Sequence, residues 1–95
     1  MAAYWVAHVN ITDGAKFNEY MQKAPSVINQ YNGELLVCGG QSENLEGQSY
    51  QQHVVIKFES LDQAKACYFS KEYQQIKQIR QGAGEVMVTL LDGMS

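Results

Sequence analysis

Along this chain the spacing of apolar residues switches between a period of two and a period of three to four, and each switch marks a new element. Residues 4–11, Tyr-Trp-Val-Ala-His-Val-Asn-Ile, are aromatic and β-branched and predict a strand. Alternation puts Trp5, Ala7, Val9 and Ile11 on a uniformly apolar face, with Tyr4, Val6, His8 and Asn10 on a mixed one. Thr12-Asp13-Gly14 then offers a turn and a helix N-cap. Phe17, Tyr20, Met21, Ala24, Val27, Ile28 and Tyr31 follow at helical spacing, which predicts a helix from about Ala15 to Tyr31. Pro25 should kink it or start a new segment, and Asn32-Gly33 supplies a left-handed stop.

Glu34–Cys38 predicts a second strand, interrupted by a bulge at Gly39-Gly40 and resuming weakly over Gln41–Leu45. A third strand, roughly Gln51–Glu59, sets Val54, Ile56 and Phe58 against His53, Val55, Lys57 and Glu59. Ser60-Leu-Asp-Gln63 has the form of a capping box. The helix behind it turns Leu61, Ala64 and either Cys67 or Tyr68 inward, and Ser70 caps a further segment with Tyr73, Ile76 and Ile79 as its stripe. Gly82 and Gly84 end it. Glu85–Leu91 is the last strand, alternating Val86, Val88 and Leu90 against Glu85, Met87, Thr89 and Leu91.

The element order is β-α-β-β-α-β. With right-handed crossovers its simplest solution is an α+β plait of the ferredoxin-like kind: a four-stranded antiparallel sheet, order 4-1-3-2, with the helices on one face. Ninety-five residues make one domain, residues 1–95, with no internal repeat or linker.

Charge narrows the function. Seven Lys plus Arg and a net charge of −3 leave no basic stripe for nucleic acid. No apolar run is long enough to span a membrane, and the first residues carry no positive n-region followed by a long apolar stretch. The expectation is a soluble cytoplasmic protein that binds neither nucleic acid nor membrane. Cys38 and Cys67 show no metal-ligand spacing and read as free thiols in a chain held by neither disulfide nor metal. Gly82-x-Gly84 follows a helix and precedes a strand, the reverse of a dinucleotide motif, so no cofactor is expected.

Several segments together resemble a family of short bacterial proteins known as domain of unknown function 1330. They are Tyr4–Asp13, the Phe17…Tyr20 pair, Tyr31-Asn-Gly33, Leu36-Val-Cys-Gly-Gly40, Leu45-Glu-Gly47, Val54–Phe58, Ser70-Lys-Glu-Tyr73 and Arg80-Gln-Gly-Ala83. The resemblance implies a dimeric α/β barrel, two plaits packed sheet to sheet around a cavity. Its wider superfamily includes cofactor-free monooxygenases, muconolactone isomerases and haem-degrading enzymes. It carries over no catalytic residue. Cys38 stands where the family commonly has Arg, Cys67 where it has Trp, and Lys71 where it has Pro.

The mixed sheet face holds the candidate chemistry. An antiparallel arrangement brings His8 near Val55 and Met87, and Asn10 near His53 and Glu85, with Tyr4, Lys57 and Thr89 farther along. A slip of one residue would turn every side chain to the other face. Two histidines and a carboxylate suit a facial metal triad, but no local spacing supports one and no metal is expected. Histidine also suits a general base. The plainest account is a set of groups satisfying one another or water at a dimer interface. Val6, Val55, Met87 and Leu91 share that face, and so much exposed apolar surface predicts a homodimer. Arg80 ends a helix, where it either contacts backbone carbonyls or clamps an anion at the cavity mouth.

Two functions follow as expectations. One is binding of a small apolar or aromatic metabolite in a cavity lined by Tyr4, His8, Asn10, His53 and Arg80. The alternative is a cofactor-independent isomerase or monooxygenase, with His8 or His53 as base and Asn10 or Tyr4 steadying an oxyanion.

Overall fold

The computed structural model describes residues 2–94. Its elements are β1 (Ala3–Ile11), α1 (Gly14–Gln30), β2 (Glu34–Cys38), β3 (Gln52–Phe58), α2 (Leu61–Tyr68), α3 (Lys71–Lys77), a 3-10 turn (Gln78–Arg80) and β4 (Gly84–Asp92). The strands form one antiparallel sheet in the order β2-β3-β1-β4, the order expected from the sequence. The second helical slot of the plait is split, because Ser70 accepts from the Tyr73 amide and opens α3 while its hydroxyl donates to the Cys67 carbonyl and closes α2.

The core lies between sheet and helices. Trp5, Ala7 and Val9 from β1, Ile56 and Phe58 from β3, Phe17, Tyr20, Ala24, Val27 and Ile28 from α1, and Ala64, Cys67 and Tyr73 from α2 and α3 are all buried. The helix behind the capping box therefore turns Cys67 inward, and Tyr68 is only partly covered. Trp5 is the centre of the aromatic packing: Tyr73 meets it edge-on at 5.0 Å, and Tyr68 and Phe58 flank it at 5.5 and 6.2 Å. The molecule measures 34 × 33 × 17 Å, a slab of one sheet and one helical layer, so the other sheet face has no cover from its own chain.

Several local expectations give way to competing contacts. Helix α1 runs through Pro25 without starting a new segment, since Val27 and Ile28 remain anchored on the sheet beyond it. The β2–β3 irregularity falls at Leu36, between the Leu35–Ile56 and Val37–Val55 pairs, and not at Gly39-Gly40. That bulge puts Cys38 opposite Val54, on the helix-side parity. Residues 41–45 form no strand. Only half of the capping box forms: the Ser60 hydroxyl accepts from the Gln63 amide, but the Gln63 side chain donates to the Tyr31 carbonyl and ties α2 to the end of α1. Asn32 takes the left-handed conformation expected of it, at φ 61°. Gly84 is required by close approach, as a Cβ there would lie 2.1 Å from the Asn10 carbonyl oxygen.

Candidate functional site

The uncovered sheet face carries the chemistry. β1 is the inner strand between β3 and β4, so His8 has a direct partner on each side: His53 on β3 and Met87 on β4. The β1–β4 register is the expected one. The β1–β3 register differs by two residues, so that His53 faces His8 and not Asn10. A two-residue shift preserves parity, and the same side chains share the face.

The two imidazoles meet through their Nδ1 atoms at 2.8 Å, with the rings edge-on at 84°. One proton between two neutral rings has a definite consequence. The ring donating at Nδ1 keeps a bare lone pair on Nε2, and the ring accepting at Nδ1 carries its proton on Nε2. The pair thus presents a base and a hydrogen-bond donor side by side.

Tyr50 covers this pair. Its ring lies 5.6 Å from that of His8, and its hydroxyl donates to the Met87 sulfur at 2.7 Å, so the side chain reaches from the segment before β3 across β1 to β4. Tyr50 stands in no strand, and face alternation therefore says nothing about it. The available signal is that it is the lone aromatic in the polar stretch between Gly39 and Gln52.

Asn10 is engaged structurally. Its Oδ1 accepts from the Gln51 amide at 2.9 Å, and the Gln51 Oε1 accepts from the Ile11 amide at 2.9 Å. This reciprocal clamp extends the β1–β3 pairing beyond the last regular pair and holds Tyr50 over His8. Tyr4 lies on the same face between Lys57 and Leu91, four residues from His8 and so about 13 Å along the strand. Glu85 stands opposite Asn10, and among the described residues no three His, Cys, Asp or Glu side chains gather as a metal site.

Arg80 is on the other side of the sheet. Its Nη2 donates to the Tyr73 hydroxyl at 3.5 Å and its guanidinium lies 5.1 Å from the centre of the Tyr20 ring. The Tyr20 and Tyr73 hydroxyls share a buried bond of 2.6 Å. Burial pushes the Tyr73 phenol far above its usual range, Tyr20 adds to the shift and Arg80 opposes it. The phenol therefore stays neutral near Arg80. The structure brings His8 and His53 together, with Asn10 one turn of the pleat away, and separates them from Arg80 and Tyr4.

Solved structures share this fold at low identity. A protein of unknown function from Rhodopseudomonas palustris superposes with a TM-score of 0.79 at 15% identity, over 99% of this chain and 83% of its own. A protein from Bacteroides fragilis described as dimeric, of unknown function and ferredoxin-like gives 0.66 at 12% identity, covering 97% and 96%. SnoaB from Streptomyces nogalater, described as a cofactor-independent oxygenase, gives 0.71 at 7% identity, covering 99% and 94%. No curated protein matches the chain. The α+β fold is thus ferredoxin-like, and no helix among the described residues is long and apolar enough to cross a membrane. With residues 2–94 matching the family described as Domain of unknown function (DUF1330), the chain belongs to that family.

Proposed function

We propose that two copies of this chain pack sheet to sheet and enclose a chamber that binds a small apolar or aromatic metabolite, with the His8–His53 pair as its polar anchor. The observation that carries this reading is the imidazole–imidazole bond set in an apolar surround of Val6, Val55 and Met87. Such a surface, mostly apolar with a few convergent polar groups, is what a small-molecule site presents. The 17 Å slab leaves it uncovered, and the accessible surface of 6107 Å² is about a tenth above the roughly 5,500 Å² of a compact monomer of this mass. The Bacteroides fragilis neighbour, described as dimeric, supports assembly of this kind.

Sedimentation velocity at micromolar concentration should give a dimer; a stable monomer refutes the assembly. The chain has two histidines, so its ring Hε1 signals are only two. Titration with indole, 1-naphthol and hydroquinones should move both in a saturable way, and His8→Ala should abolish the response. If none of these probes moves either signal, the metabolite reading fails.

A second reading is catalytic, favoured by the base and donor that the paired rings present together. One Nε2 would remove a proton from an acidic phenol or carbon acid, and the other Nε2–H would stabilise the developing oxyanion. Hydroquinone consumption under oxygen that disappears in both His8→Ala and His53→Ala supports it; equal rates in the variants refute it.

A further inference from the structure

We propose that the pocket between the 3-10 turn and the start of β4 is a binding site for a small organic carboxylate, with Arg80 as its anchor and Lys77 as the second cation. The site is on the helix side of the sheet and is independent of the His8–His53 face.

The pocket, of about 230 Å³, is walled by Lys77, Arg80, Gln81, Gly82, Gly84 and Val86. Both charged groups in that wall are cations. Glu85, between two of the lining residues, has the opposite parity and faces away with Met87 and Thr89. Arg80 is the single arginine of a chain that carries a net charge of −3, yet no carboxylate among the described residues pairs with it. Its Nε is buried and has no hydrogen-bond partner. Tyr73 and Tyr20 hold the guanidinium in place without neutralising it. A partly buried, unpaired guanidinium is costly to maintain and is what a site built for an external anion requires. Because two aromatic side chains already fix its plane, little rotamer freedom remains to be lost on binding.

The wall also selects the class of anion. Arg80 and Val86 are shared with an apolar crevice of about 40 Å³ running in towards Met21, Ile28 and Val54. A molecule whose charge meets Arg80 therefore finds hydrocarbon beyond it. An organic acid fits both ends, and inorganic phosphate fits one.

The test uses the side-chain Nε–Hε resonance of Arg80, which is unique in the chain. Propionate, benzoate and inorganic phosphate are titrated at constant ionic strength with chloride as the balancing anion, and the backbone amides are followed in parallel. The expected result is a saturable shift of Arg80 Nε–Hε and of the Gly82, Gly84 and Val86 amides with a carboxylate, while the histidine ring signals stay still. Arg80→Lys should weaken binding about tenfold by losing the planar fork, and Lys77→Gln should weaken it by a smaller factor. If Arg80→Lys does not fold, Lys77→Gln carries the test. No saturable shift, tighter binding of phosphate than of either carboxylate, or unchanged affinity in Lys77→Gln overturns the proposal.

Discussion

Replacing Trp5 and His8 one at a time tests the assignment of the two sheet faces without knowledge of any ligand. They lie three residues apart on β1 and point to opposite sides. Trp5 is 3% exposed and packs against Phe58, Tyr68 and Tyr73. Its truncation to Ala removes an indole from a close-packed layer and should cost about 3–5 kcal/mol through lost transfer energy and a residual cavity. For a domain of this size each kcal/mol shifts the melting temperature by roughly 4–8 °C, so the fall should be about 12–40 °C. His8 is only partly buried and faces the uncovered side. Its removal forfeits one hydrogen bond to a ring that water can reach, a loss of about 1 kcal/mol. Thermal melts by far-UV circular dichroism are the appropriate assay, because Trp5 is the sole tryptophan and its fluorescence vanishes with the substitution. Each variant should be measured at two concentrations, since the proposed dimerisation would make the midpoint concentration-dependent. Should Trp5→Ala be too unstable to purify, Trp5→Phe should show the same sign at smaller size. If His8→Ala unfolds the chain while Trp5→Ala melts within a few degrees of the wild type, the faces are reversed and the site falls with them.

Other predictions concern the helix-side core. Burial pushes the Cys67 thiol up to about 11 from 9.0. The fold therefore favours the neutral thiol, so the stability it contributes, roughly 2–3 kcal/mol, is full below pH 9 and is lost as pH rises towards 11; urea melts of Cys67→Ala should lack that component. A thiol reagent at pH 8 should label the exposed Cys38 in the native protein and Cys67 only after unfolding. Tyr73→Phe should cost about 1–3 kcal/mol by stranding the Tyr20 hydroxyl, and adding Tyr20→Phe should cost less than the sum of the two single changes in a denaturation cycle. Gly84→Ala should lower stability by about 1–3 kcal/mol, read from the same melts, because its Cβ would collide with the Asn10 carbonyl.

Parity and the β1–β4 register could be read from the sequence; the position of β3 along β1 could not. Alternation assigned His8, His53 and Met87 to one face because burying Trp5, Ala7 and Ile56 on the other leaves no choice. The apolar pattern alone does not distinguish a pairing from one shifted by two residues, and the meeting of His8 with His53 depends on that shift. The Asn10–Gln51 clamp accompanies the observed pairing, and it involves a residue outside the regular strand. Tyr50 was hidden for the same reason: its reach over His8 is set by the path of an irregular loop, where no periodicity operates. Arg80 was visible as the lone arginine, but its side of the sheet depends on how the 3-10 turn delivers the chain to Gly84. Neither turn geometry nor the buried Tyr20–Tyr73 bond that receives the guanidinium has a sequence period.

The two proposed sites divide along the sheet, and the division follows from what each side lacks. On the helix side the chain supplies both layers, so Arg80 can be fixed by Tyr20 and Tyr73 within one copy; what is missing there is a negative charge. On the open side the two imidazoles satisfy each other through their Nδ1 atoms; what is missing is a second layer. A lone Nε2 base in contact with bulk water has no dry pocket in which to bind hydrocarbon or to act on a phenol. A facing sheet would supply that pocket. The His8–His53 site should therefore depend on assembly and the Arg80 site should not, which makes the oligomeric state the variable that separates the two proposed sites.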